Sequence, residues 1–185
     1  DEWQKYANIR LLLGHKYMHP GKKLLFMGNE IGQRAEWSHE NVLEWDFAED
    51  SYQAGIKKWV KDLNTCYKSA PALFKYDYYP SGFEWIDFSD NNNSILSYIR
   101  KTADNSEHFL VIGNFTPEHR KNYRIGVPLA GQWQEVLNSD DIKYKGSGLI
   151  NAQMLTADKK PFHGRPFSLK LNLPPLGISI FKRVS

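Results

Sequence analysis

The chain has 185 residues, enough for one domain or for one domain and part of another. Its net charge is only +3 and its basic residues form no single block, so no nucleic-acid partner is expected. No stretch approaches the roughly 20 apolar residues that a membrane-spanning helix needs, so no membrane association is expected either. Aromatic residues make up 14%, and such side chains fill cores but also stack on sugar rings or bases.

The single cysteine, Cys66, excludes a disulfide within the chain and any cysteine-rich metal motif. This favours a reducing compartment, and we interpret Cys66 as a residue that packs one face of a helix. We expect no metal role for the six histidines, because the chain has no cysteine ligand set to join them. Because the chain begins at Asp1 rather than at a methionine, we expect it to be a fragment.

The first part of the chain has a helix, a strand, a loop and a second helix. Apolar residues recur with a helical period from Trp3 to Tyr17, and Pro20 ends that pattern. The apolar run Leu24–Met27 predicts a strand buried on both faces, and a long polar loop then extends from residue 29 to about 50. A second helix follows Ser51, a plausible N-cap. This order is typical of an α/β barrel or a doubly wound sheet, although one strand makes no sheet.

After about residue 71 the pattern changes to short strands separated by turns. Strands are predicted near 83–88, 94–100, 109–115, 123–127, 133–137, 167–173 and 177–183, with an irregular stretch over 138–165. This spacing predicts an antiparallel β-sandwich. The two parts are therefore residues 1–75, the tail of an α/β domain, and residues 76–185, a small β domain. Aromatic residues at strand spacing are predicted to be mostly core: Trp85, Phe88, Phe109, Phe115, Tyr123 and Trp133.

Three motifs carry a resemblance to a known family. The first is His-Pro-Gly-Lys-Lys-Leu-Leu-Phe-Met-Gly-Asn-Glu-Ile-Gly-Gln at 19–33, followed by Glu-Trp-Ser-His at 36–39. The others are Gly-Asn-Phe-Thr-Pro at 113–117 and Leu-Pro-Pro-Leu-Gly at 173–177. In this order they resemble bacterial glycogen (1,4-α-glucan) branching enzymes of the α-amylase superfamily. Ile31, Ser38 and Glu44 depart from the residues usual in that family.

The resemblance implies an α+β chain dominated by β-structure. Residues 3–69 would be the last helix–strand–helix of a catalytic (β/α)₈ barrel, and an antiparallel β-sandwich C-terminal domain would follow. The implied activity is a retaining glycosyl transfer that cuts α-1,4 bonds and forms α-1,6 branches, without a cofactor. Retention needs two carboxyl groups about 5–5.5 Å apart. The family's catalytic carboxylates lie on earlier barrel strands, and Asp1 does not match them, so no catalytic residue is expected in this chain.

The candidate site residues belong to the rim of that barrel, where strands end. Asn29 and Glu30 could hydrogen-bond sugar hydroxyls, or they could anchor the loop through backbone amides or a buried arginine. Trp37 and Trp45 could stack on glucose rings or pack beneath the loop. His39 could bind substrate or cap the loop.

Several functions stay open at this point. The chain could be an inactive part of a branching enzyme in glycogen biosynthesis, an independent carbohydrate-binding module, or a domain that braces the barrel. It could also be the C-terminal module of another superfamily enzyme, such as a debranching or trehalose-releasing hydrolase. The expected partners are α-glucans (glycogen, amylose) and the missing N-terminal part of the enzyme, in the cytoplasm. We also expect self-association of the fragment, or repacking of the barrel remnant against the sandwich.

Overall fold

The computed structural model describes residues 1–184, and its helices lie in the first part of the chain. Helix α1 spans Glu2–Met18, α2 spans Tyr52–Ser69 and the short α3 spans Pro71–Phe74. The Asp1 side chain caps α1 by accepting a 2.7 Å hydrogen bond from the Gln4 amide. Ser51 caps α2 in the same way through the amide of Ala54, as predicted. Among the described residues, no helix combines the length and the apolar character needed to cross a membrane.

Eight strands follow, and every pairing between them is antiparallel. One sheet has six strands in the order β1-β2-β3-β8-β5-β6, and a second has two, β4 and β7. The strand bounds are β1 Phe83–Asp90, β2 Ile95–Lys101, β3 His108–Asn114, β4 Arg120–Val127, β5 Gln132–Asn138, β6 Met154–Thr156, β7 Phe167–Leu173 and β8 Gly177–Arg183. The mostly antiparallel β-structure is confirmed, whereas β6, inside the stretch taken as irregular, was not predicted.

The six-stranded sheet is buried on both faces. In β3, Phe109 and Val111 pack against α1 and α2, while Leu110 and Ile112 pack against the β4-β7 pair. This alternation follows from the period of two in a strand, which sends successive side chains to opposite faces. Helices, sheet and the two-stranded sheet thus form three layers around two apolar cores, and the helices share one of those cores with the sheet.

The predicted strand Leu24–Met27 is not formed in the described part of the chain. Its backbone is extended without strand partners, and the side chains of Leu24, Phe26 and Met27 are 73%, 53% and 46% exposed. Only Leu25 packs against the helical core. A buried parallel strand needs neighbours on both sides, and none of residues 1–184 supplies them. The two helices thus share a core with the sheet, whereas this segment contributes only Leu25 to it.

The prediction that the sandwich aromatics are mostly core is confirmed for Phe109 and Trp133, which are fully buried. It is wrong for Trp85, Phe88 and Phe115, whose side chains are exposed. The register of β1 shifts after Trp85, which breaks the alternation of faces along this edge strand. Phe115 lies just past the end of β3, where the sheet no longer covers it.

A buried arginine with its ion-pair partner links the end of α1 to the β domain. The Arg100 guanidinium on β2 donates to Asp77 Oδ1 at 2.8 Å, and both side chains are fully buried. The same guanidinium donates to the carbonyls of Met18, at the end of α1, and of Gly82, just before β1. One side chain thus satisfies three acceptors, one at the end of α1 and two in the 75–82 linker, which fixes both segments on the sheet.

We predict that Asp77→Asn lowers the free energy of unfolding by about 3–5 kcal/mol, because it leaves the Arg100 charge buried without a counter-ion. Glu118→Gln is the matched control, since it makes the same change in an exposed pair with Arg120 and should cost under about 1 kcal/mol. Urea unfolding followed by tryptophan fluorescence measures both. Equal decreases in the free energy of unfolding of the two variants would show that the buried pair stabilises the fold no more than the exposed pair does.

Candidate functional site

The first pair of candidate residues lies in a tight turn after the extended segment. Gly28 adopts a left-handed conformation (φ 88°), and its carbonyl accepts hydrogen bonds from the amides of Ile31 and Gln33. Asn29 Oδ1 accepts from the Phe26 amide at 3.0 Å. This contact supports the loop-anchor interpretation for the Asn29 side-chain oxygen. The side-chain nitrogen, Nδ2, makes no hydrogen bond within residues 1–184.

Glu30 and Trp45 line one open groove of about 740 Å³ between the extended segment and α2. The apolar wall includes Leu25, Met27 and Leu43, and the opposite wall is formed by α2 with Lys57, Lys61 and Lys68. Lys57 Nζ lies 5.8 Å from the centre of the Trp45 ring, within the range of a cation–π contact. In the described part of the chain, neither an arginine nor a backbone amide binds the Glu30 carboxylate, which has no hydrogen bond and no ion pair there.

Trp37 lines a different hollow, between α1 and the loop, together with Asn29. Its indole Nε1 donates to the sulfur of Met27, and its ring packs edge-on to Phe26 with centroids 5.2 Å apart. The ring is still 43% exposed. Packing therefore fixes the orientation of Trp37 without burying it, so the predicted packing and stacking roles are compatible.

His39 lies outside both hollows. Its ring is exposed, 3.8 Å from the Glu40 carboxylate and 6.4 Å (between centroids) from Trp37. The turn here is closed by Ser38, whose hydroxyl accepts from the Glu40 amide. The loop-cap interpretation thus fits Ser38 rather than His39.

These groups suit binding rather than bond cleavage. A carboxylate and an amide can hydrogen-bond sugar hydroxyls, and exposed indoles can stack on the C–H faces of sugar rings. No group of three or more His, Cys, Asp or Glu side chains suited to a metal ion occurs among residues 1–184. The arrangement contains no candidate nucleophile paired with a general acid.

Two of the motifs that carried the resemblance meet at one end of the sandwich. The buried Asn114 side chain donates to the carbonyls of Pro174 and Glu118 and accepts from the amide and hydroxyl of Thr116. The Leu176 amide donates in return to the Thr116 carbonyl at 2.8 Å. These motifs therefore have a structural explanation, since they join the loop after β3 to the turn before β8.

An aromatic ridge on the other side of the fold was missed by the sequence analysis. Five rings form it in the spatial order Phe88, Trp85, His19, His15 and Phe115. Each ring centroid lies 5.3–6.5 Å from the next one in this order. Phe88 is 64% exposed. Trp85 and Phe88 are three residues apart, so a regular strand with a period of two would place their side chains on opposite faces of the sheet. Two aromatic residues at this spacing were the available indication of a bulge that turns Phe88 outward.

We predict that Asn29→Ala and Glu30→Gln differ in their effect on stability. Asn29→Ala removes the acceptor for the Phe26 amide and should cost about 1 kcal/mol. Glu30→Gln keeps the shape of a side chain without described partners and should stay within about 0.5 kcal/mol of the parent. Urea unfolding checks both, and a larger loss for Glu30→Gln would reveal a structural role for that carboxylate.

Comparison with known proteins gives matches over the whole chain. The family model for the alpha amylase C-terminal all-beta domain matches residues 85–184. The 1,4-alpha-glucan branching enzyme GlgB of Aquifex aeolicus is 50% identical over 98% of this chain and 29% of its own length. The same enzyme of Synechococcus elongatus is 48% identical over 100% of this chain and 24% of its own length. The chain thus spans less than a third of the length of these curated relatives.

Among solved structures, the crystal structure of Ttha1563 from Thermus thermophilus superimposes with a TM-score of 0.63. The match covers 96% of this chain and 31% of that chain, at 20% identity. At this identity the likeness concerns the fold alone, and it includes the helices as well as the sheets because nearly the whole chain is covered.

Proposed function

The chain belongs to the alpha-amylase C-terminal all-beta domain family, and from this membership we propose that it is the C-terminal part of a 1,4-α-glucan branching enzyme. The observation that carries the proposal is the 46–50% identity to branching enzymes along essentially the whole chain. The complete enzyme would be a retaining glycosyltransferase of glycogen biosynthesis, working in the cytoplasm on glycogen or amylose. The relatives reported above do not favour the alternative of a debranching or trehalose-releasing hydrolase.

We propose further that residues 1–75 complete a (β/α)₈ barrel and that residues 76–185 form the sandwich that braces it. In that arrangement Leu24–Met27 becomes the last barrel strand and pairs with strands from the missing N-terminal part. The exposure of Leu24, Phe26 and Leu12 on one side of the helical layer supports this, because apolar side chains of this size favour burial. Without the N-terminal part, the same surface would favour self-association of the chain.

The proposed contribution of this chain to the active site is its rim. Glu30 and Trp45 share one groove, in which the carboxylate would hydrogen-bond sugar hydroxyls and the indole would stack on a glucose ring. Asn29, through its amide, and Trp37 would do the same from the neighbouring hollow. The exposed His39 ring stands at the outer edge of this surface. The two catalytic carboxylates that retention requires would come from the missing part.

A second glucan contact is proposed on the aromatic ridge of the sandwich. Trp85 and Phe88 are exposed, their ring centroids are 5.6 Å apart, and they belong to a strand rather than to a loop. Aromatic side chains held on a sheet can stack on sugar rings at little entropic cost, because their orientation is already fixed. This surface would hold the polymer away from the rim and so increase its local concentration.

We predict that the chain alone forms no α-1,6 branches in amylose, because the proposed catalytic carboxylates lie outside it. Debranching of the incubated polymer followed by chain-length analysis measures new branches directly. Branching above the level of a heat-denatured control would contradict the assignment of the catalytic groups to the missing part.

We predict that dissolved glycogen slows the migration of the chain in native gels. The double variant Trp85→Ala, Phe88→Ala should reduce this retardation several-fold. Base–aromatic stacking serves as a guide to the magnitude, and by it each lost stacking contact weakens binding by roughly 1–3 kcal/mol. Trp45→Ala tests the rim separately. Tyr78→Ala is the matched control, because Tyr78 is an exposed aromatic outside both surfaces. Retardation unchanged in all three variants would contradict both proposed glucan contacts.

A further inference from the structure

Two histidines near the end of α1 face the six-stranded sheet and have aromatic neighbours. His15 and His19 are four residues apart, on the same side of the helix, and their ring centroids are 5.3 Å apart. The His15 ring meets Tyr98 edge-on at 5.8 Å, and the His19 ring lies 5.5 Å from Phe83 and 6.2 Å from Tyr98. Both rings therefore belong to the contact between helix and sheet.

The hydrogen bond between the sheet and His15 suits a neutral ring. The Tyr98 hydroxyl, itself buried, lies 3.4 Å from His15 Nδ1, to which it can donate only when that nitrogen carries no proton. His19 Nδ1 lies 3.2 Å from the Pro20 carbonyl. The ammonium group of Lys23 donates to the His19 carbonyl, so a positive charge already stands beside the pair.

The charged groups around the two rings cannot compensate further positive charge. Lys23, from the segment after α1, faces the pair, and β2 contributes Arg100 beyond Tyr98. From β1 and from the end of β3 the neighbours are uncharged aromatic rings. The nearby carboxylate, Asp77 of the linker, is already bound by Arg100 at 2.8 Å and lies 3.9 Å from Lys22. A proton on His15 would thus meet like charges and apolar rings.

We propose that His15, packed beside His19, forms an acid-sensitive latch that holds the last turn of α1 on the sheet while the His15 ring is neutral. Protonation releases this turn and, with it, the segment from Lys22 to Gly28 that leads directly to Asn29 and Glu30. The latch therefore connects acidification to the order of the loop that carries the candidate site. The inference stands on the packing of α1 against the sheet and is independent of the proposed function.

The direction of the pH effect follows from the pKa of His15. Burial lowers this pKa, and the neighbouring His19 and Lys23 lower it further. A histidine whose pKa is lower in the folded than in the unfolded protein stabilises the fold fully above its unfolded value of about 6.5. That contribution is lost as the pH falls through the unfolded pKa towards the folded one. Burial also lowers the pKa values of His108 and His163, so their protonation contributes to acid destabilisation of the whole fold. Variants at these histidines therefore distinguish that global effect from a local effect of His15.

The test is hydrogen exchange of the peptide that spans residues 15–28, at about pH 7.5 and about pH 5.5, on either side of the ordinary histidine pKa. His15→Phe keeps an aromatic ring but cannot be protonated. At the lower pH this peptide should exchange several-fold faster in the parent protein than in His15→Phe, while the two proteins should agree at the higher pH. His163→Phe changes a histidine that contacts Asp87 of β1 rather than α1, and it should leave the exchange of this peptide unchanged.

Equal exchange in the parent and in His15→Phe at the lower pH would overturn the latch. So would an equal acceleration in peptides of β7, because the effect would then be global unfolding. If His15→Phe fails to fold, His15→Gln replaces it, since the amide keeps a polar partner for Tyr98 and has no proton to gain. The same comparison at the lower pH then decides the matter.

Discussion

The fold depends on one six-stranded sheet that buries apolar side chains on both faces. Phe109 and Val111 require the helices as a cover, and Leu110 and Ile112 require the β4-β7 pair. Neither layer can leave without exposing one complete face of the sheet, which would cost far more than the marginal stability of a domain this size. The Arg100–Asp77 pair sets the position of the helices on the sheet, because Arg100 binds both the end of α1 and the linker before β1.

This constraint connects the fold to the proposed function. Leu12 of α1 is exposed, as are Leu24 and Phe26 of the segment that follows α1, and in the proposed barrel the missing strands would cover these side chains. A sandwich that holds the final helices of a barrel also holds the loop between them, and that loop carries Glu30 and Trp45. Under this proposal, bracing and substrate contact would both result from the same packing. The lysine-rich side of α2 and the aromatic ridge lie on surfaces that this packing leaves accessible.

Features determined by local sequence were predictable. The Ser51 cap, the face of α2 and the strands β7 and β8 follow from side chains within a few residues of one another. Features determined by distant partners were not. The segment Leu24–Met27 has the composition of a strand but lacks neighbours to pair with, and the bulge in β1 reverses the faces expected for Phe88. For the site, the sequence placed the five residues on one loop but could not show that four of them line two separate hollows and that His39 lies outside both.

The shared core requires that the helices of residues 1–75 and the sheets of residues 76–184 form one cooperative unit. Native-state hydrogen exchange of the intact chain under increasing urea tests it most directly, by comparing the opening free energies of α1, α2, β3 and β8. We predict that the opening free energies of the most protected amides in all four elements converge on one value, the free energy of global unfolding. Helices that open at low urea while β3 and β8 stay protected would contradict it, because the sheet would then be stable with one face uncovered.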